Sequence, residues 1–189
     1  ATISADKMNV VYRGVTNPMT ISFAGVSDNN VSASAPGLSK GSGTGKYNMN
    51  PGSGREVTIN VTGKLPDGTT VSDRATFRIK DIPSPIGAVR GEDGILKMQR
   101  NSLEISEVSA KLPDFDFELN LRVTGFKFNV PGQPTVQVSG NKLDSRAKDV
   151  LRRAQRGSTV QIFDIDAQIA GNSSYRLKKV SPVLIELTN

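Results

Sequence analysis

Lys80-Asp81-Ile82-Pro83-Ser84-Pro85-Ile86-Gly87 decides how this chain divides. Two prolines one residue apart cannot donate ladder hydrogen bonds, and each turns the residue before it away from helical geometry. Neither a helix nor a central strand crosses the stretch. It reads as a semi-rigid joint of polyproline type, with Pro83 and Pro85 setting its geometry, between β-domains over residues 1–82 and 83–189. Modules of this size fold alone, burying somewhat over about 60% of their unfolded surface.

Outward from the joint, eighteen Gly and ten Pro among abundant Thr, Ser, Val and Ile favour strands and turns over helices. The chain has no Cys and no His. Disulfide staples and thiolate chemistry are therefore excluded, and the commonest general base and metal ligand is missing. This argues against an enzyme, so no catalytic residue, cofactor or metal site is expected. No apolar run approaches the ~20 residues needed to cross a bilayer, and Ala1-Thr2-Ile3-Ser4 lacks a signal-peptide pattern. Lys and Arg exceed Asp and Glu by 24 to 18, a net charge of +6 spread over both halves. Nucleic acid is not an expected partner, because the seven Phe and three Tyr fall mostly at core strand positions rather than between basic residues.

In the first half, Met8-Asn9-Val10-Val11-Tyr12 reads as an opening strand, closed by a turn over Arg13 to Pro18. Met19, Ile21 and Phe23 alternate with Thr20 and Ser22, which places three apolar side chains on one face. Asp28-Asn29-Asn30 turns the chain into a short strand around Val31 and Ala33. The segment Gly41-Ser42-Gly43-Thr44-Gly45-Lys46 departs from a phosphate-binding loop, with Lys40 where the first glycine belongs and Tyr47 where Ser or Thr belongs. It reads as part of a mobile loop over residues 37–45. Val57, Ile59 and Val61 alternate, turn at Pro66-Asp67-Gly68 and return through Val71, Ala75, Phe77 and Ile79. This is a hairpin. Turns every eight to twelve residues point to a small immunoglobulin-like sandwich.

In the second half, Ile95, Leu96, Met98, Leu103 and Ile105 read as short strand material. Phe115, Phe117, Leu119, Leu121 and Val123 alternate as one strand, continued by Phe126, Phe128 and Val130 after a bulge at Gly125. One helix is expected over 144–155, where Leu143, Ala147, Val150, Leu151 and Ala154 share a face, Asp144 or Ser145 caps the start and Gly157 the end. Its other face carries Arg146, Lys148, Arg152, Arg153 and Arg156, with Asp149 four residues before Arg153. Gln161, Phe163, Ile165, Ala167 and Ile169 alternate next. Asn172-Ser173-Ser174 turns the chain toward Tyr175 and Leu177, and Val183, Ile185 and Leu187 end it. The carboxylates Asp114, Asp116 and Glu118, and the pair Asp164 and Asp166, are expected on solvent faces of their strands. The fold class is all-β: two consecutive immunoglobulin-like β-sandwiches, the second with one inserted α-helix.

Several segments in order carry a resemblance: Tyr12 to Pro18, Phe77 to Pro85, Leu112-Pro113-Asp114-Phe115-Asp116-Phe117, Gly157 to Val160 through Ile165-Asp166-Ala167, and Tyr175-Arg176-Leu177. Over essentially its whole length the chain resembles the C-terminal periplasmic region of the GldM/PorM family. Where that family carries Asp between the two prolines of the joint, this chain has Ser84.

The resemblance implies a component of the type IX secretion and gliding machinery of Bacteroidetes. It implies a homodimer in the periplasm, anchored to the inner membrane by an N-terminal helix ahead of these residues, which works with an inner-membrane motor partner. The domains would reach a ring of outer-membrane-associated proteins, and the family has no catalytic residues to carry over. This chain is then expected to be a non-enzymatic shaft segment transmitting motor motion. Contacts with the ring are expected at Arg152, Arg153 and Arg156 of the basic helix and at Asn172, Ser173 and Tyr175 of the last hairpin. The alternative is a surface carbohydrate-binding or adhesive β-module, which needs exposed aromatic residues; Trp is absent and Tyr occurs three times.

Overall fold

Alternating apolar residues become paired strands in the computed structural model, which describes residues 1–5 and 9–189. The chain forms two units, Ala1–Ile82 and Pro83–Asn189. Both are immunoglobulin-like β-sandwiches.

The first unit contains β1 (Thr2–Ala5), β2 (Val10–Tyr12), β3 (Asn17–Ser22), β4 (Val31–Ser34), β5 (Leu38–Lys40), β6 (Lys46–Met49), β7 (Glu56–Lys64) and β8 (Thr70–Lys80). One sheet runs β1-β3-β6-β5 and the other β2-β8-β7-β4. All neighbours are antiparallel except β2 and β8, which pair in parallel from Val10↔Arg78 to Tyr12↔Lys80. Met19, Ile21 and Met49 of the first sheet meet Val11, Ile59, Val61 and Phe77 of the second in one buried cluster. Burying a side chain such as Phe77 stabilises the unit by roughly 1.5–3 kcal/mol.

Three expectations change here. The opening strand covers Val10–Tyr12, and Met8 lies outside the described residues. Asn17 and Pro18 belong to β3 rather than to the turn before it. The buried Asn17 amide nitrogen donates to the carbonyls of Tyr12 (2.9 Å), Val15 (3.1 Å) and Met49 (3.0 Å), and its oxygen accepts from the Tyr12 N–H (2.8 Å). One side chain thus replaces the ladder that the 12–17 connection lacks. The glycine-rich 37–45 stretch is not a free loop either. It holds β5 and a tight hairpin in which Gly41 N–H donates to Lys46 O and Lys46 N–H to Gly43 O. At Gly37 (φ +83°) a Cβ would stand 2.2 Å from the Asn50 carbonyl oxygen, so only glycine fits.

The second unit contains β9 (Ile86–Val89), β10 (Glu92–Asp93), β11 (Ile95–Met98), α1 (Arg100–Glu104), β12 (Val108–Lys111), β13 (Leu121–Asn129), β14 (Val136–Ser139), α2 (Ser145–Arg152), β15 (Thr159–Ile169) and β16 (Val183–Leu187). Its sheets run β10-β9-β12 and β11-β16-β15-β13-β14. Val89, Leu103, Val108, Phe126, Phe128, Val138, Leu151, Ile162 and Ile185 belong to one buried cluster.

Helix α2 follows its expected logic at the start and departs from it at the end. Asp144 Oδ1 accepts from the Ala147 N–H at 2.8 Å, a cap worth about 1 kcal/mol, and Ala147, Val150 and Leu151 are buried. The helix stops at Arg152 rather than Gln155. There Arg153 N–H reaches Val150 O and Ala154 N–H reaches Leu151 O, which tightens the last turn. The Arg100 guanidinium also takes the carbonyls of Leu151 (2.7 Å) and Arg152 (3.1 Å). A second helix, α1, occupies Arg100–Glu104, where strand material around Leu103 was expected.

Two stretches alternate without pairing as expected. Phe115, Phe117 and Leu119 are half-buried while Asp114, Asp116 and Glu118 are exposed, yet residues 112–120 form no strand. The two Phe rings lie 5.3 Å apart instead. Tyr175 and Leu177 likewise sit in a segment without strand pairing. In β15 the buried residues are Val160 and Ile162, then Ile165 and Ile169, with Phe163 only half-buried. The change of face falls at Asp164, whose φ is +43°.

Candidate functional site

The longest strand pair of the second unit slips twice. Val123↔Ala167 is followed by Gly125↔Asp166 and then Lys127↔Phe163, so one extra residue sits in β13 and the next in β15. Each is a β-bulge that bends its strand and re-aims the side chains beyond it. The first is the reset expected at Gly125, and the second puts Asp164 in the left-handed region. Its carboxylate leaves the sheet toward Lys127 Nζ, 3.0 Å away.

Beyond the bulge, β15 loses its neighbour on one side. β16 pairs with β15 over Thr159–Ile162, ending at Ile162↔Val183, and among the described residues the next β-bridge between the chain after β15 and this strand is Ile169↔Asn172. Between these points six residues of β15 (163–168) oppose ten of the return path (173–182). Unequal lengths cannot close a ladder. The return path is also drawn toward β9: Ser181 N–H donates to Pro85 O (3.1 Å), and Gly87 N–H to Ser181 O (3.2 Å). A Cβ on Gly87 would stand 2.4 Å from Ser181 O and 2.7 Å from Ile165 Cδ1, so this crossing needs glycine for space rather than for φ.

A groove of about 800 Å³ is left between the β13–β15 surface and residues 173–180. Its floor and one wall include Lys127, Asp164, Ile165, Asp166 and Gln168; its other wall includes Tyr175, Arg176, Lys178 and Lys179. Lys127 and Asp164 neutralise each other. Among the described residues, Arg176, Lys178 and Lys179 enter no ion pair, and all three are exposed. With Asp166 as the remaining carboxylate, the lining carries a net charge of about +2 by simple Coulomb counting (three cations less one anion).

The residues singled out from sequence fall in three places. Ser173 and Tyr175 line this groove, while Asn172 closes its end, its backbone N–H on Ile169 O (3.0 Å) and its side-chain oxygen accepting from Ser174 Oγ (3.1 Å). Arg152 lies on α2 and is paired twice within its own unit, with Glu104 at 3.0 Å and Asp149 at 3.1 Å. Asp149 thus meets the residue three positions on, not Arg153 as expected. Arg153 and Arg156 are exposed, and none of the three arginines lines the groove. At the joint, Pro83 is exposed whereas Pro85 is buried. Asp114, Asp116 and Glu118 stand on the 112–120 loop rather than on a strand face, and Asp164 and Asp166 flank buried Ile165. Among the described residues no three His, Cys, Asp or Glu side chains are grouped as a metal site requires. Sequence reasoning missed Lys127, Arg176, Lys178 and Lys179; the local signal was the cationic run after Tyr175.

Comparison with known proteins follows the same division. No curated protein matches the chain. Among solved structures it is similar to the Clostridium thermocellum CbhA fibronectin(III)-like modules, at 11% identity and a TM-score of 0.32 over 98% of this chain and 94% of that one. The sequence profile of the GldM third domain matches residues 1–80, and that of the GldM C-terminal domain matches residues 83–188. With both profiles matched in order along the chain, this protein belongs to the GldM family of gliding-motility and type IX secretion components.

Proposed function

We propose that the chain is a non-enzymatic shaft segment of the type IX secretion and gliding motor. It works in the periplasm as a homodimer, carrying the motion of an inner-membrane motor to an outer-membrane-associated ring. The observation that supports transmission is the shortness of the connection. Ile82 is fully buried at the end of the first unit, and Pro85 is buried at the start of the second, its carbonyl held by Ser181. Only Pro83 and Ser84 are exposed between them. A rotation applied before the joint has two residues in which to dissipate, one of them with a fixed φ. Pairing into a homodimer is supported by the outer edge of β11, an edge strand whose Ile95 is 77% exposed. The missing His and Cys support a role without catalysis.

Inserting ten Gly/Ser residues between Pro83 and Ser84 of the whole protein tests this reading. Secretion and gliding are expected to fail while protein level, dimerisation and ring capture persist. Normal secretion with the insert removes transmission through the joint.

A further inference from the structure

The groove beside β15 has the features of a peptide site. One wall is a strand whose backbone beyond Ile162 has no strand partner on that side among the described residues, the template that an added strand uses. The facing wall presents Arg176 and Lys178 two residues apart, with Leu177 half-buried between them and Lys179 beside them. In an extended peptide, residues two apart lie on one face at a spacing of about 6.6–6.8 Å. Acidic residues at every second position would therefore meet Arg176 and Lys178 in register, with Lys179 adding charge beside them. We propose that the groove binds an extended acidic peptide segment of a partner protein, adding it as a strand to the 163–168 edge of β15 and pairing its carboxylates with Arg176, Lys178 and Lys179.

This deepens the docking reading above and rests on it for the source of the peptide. Six edge residues suit a peptide of similar length, with Ile169↔Asn172 and Ile162↔Val183 as its end stops. The neighbouring Lys127–Asp164 pair is already satisfied, so the cations of the 173–180 wall are the groups left to choose the partner by charge.

The test uses the whole chain and a fluorescein-labelled eight-residue peptide of alternating Glu and Val, followed by anisotropy. The Glu peptide is expected to bind and a Lys/Val counterpart not to. The triple variant Arg176→Glu, Lys178→Glu, Lys179→Glu is expected to weaken binding at least about tenfold while unfolding at the same temperature, since all three side chains are exposed. N-methylating alternate amides of the Glu peptide, which leaves its charge intact, is expected to abolish binding. Undetectable binding, equal binding by the triple variant, or equal binding of the N-methylated peptide would each overturn the proposal. The shaft reading is scored separately: it stands or falls on the joint insertion, whatever the peptide does.

Discussion

The β7–β8 pair and the β13–β15 pair are each the longest strand pair of their unit, and they are built on opposite principles. β7 and β8 run in unbroken register from Glu56↔Arg78 to Lys64↔Thr70, and Val57, Ile59 and Val61 fall on one face throughout. β13 and β15 slip once in each strand, so the count is restored while the faces are re-aimed. Regular pairing yields a wall. Paired bulges yield a wall whose buried face changes at Asp164, and the difference lies in two residues out of register rather than in composition.

The largest effects test whether each pair belongs to its own core. Phe77→Ala and Phe128→Ala are expected to cost about 3–5 kcal/mol each, the first lowering only the unfolding transition of the first unit and the second only that of the second. Calorimetry in which either variant shifts both transitions equally would break the comparison. Gly87→Ala places a methyl against Ser181 O and Ile165. It is expected to cost about 1–3 kcal/mol in the second transition alone, and an unchanged midpoint would mean that the crossing beside the groove yields freely.

A sharper contrast comes from giving both pairs the same strand-forming side chain. At Asp164, Val must adopt a positive φ and is expected to cost about 1–2 kcal/mol. At exposed Asn60, in the regular β7 ladder, Val is expected to stay within about 0.5 kcal/mol of the parent by urea unfolding. The smallest effect is at the β7–β8 turn, where the Thr69 N–H donates to Asp67 Oδ1 at 2.8 Å and holds that carboxyl below its ordinary range, with the Thr69 side chain helping. A carboxyl depressed in the folded state stabilises above its unfolded pKa and loses that contribution as pH falls through the folded value. Asp67→Asn should therefore melt slightly lower than the parent at pH 7, with the gap closing below about pH 4. A gap independent of pH would mean the charge contributes nothing.

Most of the first unit was legible because its signals are local. Val57 to Val61 alternate and pair, and Asp144 in the second unit caps as its position predicts. The misreadings share a cause. Phe115 and Phe117 alternate because one side of their segment faces the core, but pairing requires a neighbouring strand, which a period of two does not report. β9 went unread because Gly87-Ala88 has little strand propensity, and the glycine answers to Ser181 and Ile165, which a Cβ there would meet and which are distant in sequence. α1 has five residues and no side-chain cap at Gln99, so nothing announces it. The groove arises from a mismatch of lengths between two stretches and from a hydrogen bond to Pro85, neither visible in a window of residues. Ser173 and Tyr175, singled out from the last predicted hairpin, do line it, and the cations beside them, Arg176, Lys178 and Lys179, stood in the sequence as a run after Tyr175.

The way β8 leaves the first unit has a mechanical meaning. It lies between β2, parallel, and β7, antiparallel, and its last residue precedes the joint. A pull on Asp81 along the strand loads both ladders in shear, so many bonds must yield together rather than peel in sequence. Arg13 adds a cross-tie at the loaded end, its guanidinium holding Gly52 O (3.0 Å), Gly54 O (2.9 Å) and Asp81 (3.3 Å). Stretched in a single-molecule trap, this unit should yield in one high-force rupture, and Arg13→Ala should lower that force. A strand inserted between two others makes the exit of the chain its strongest seam.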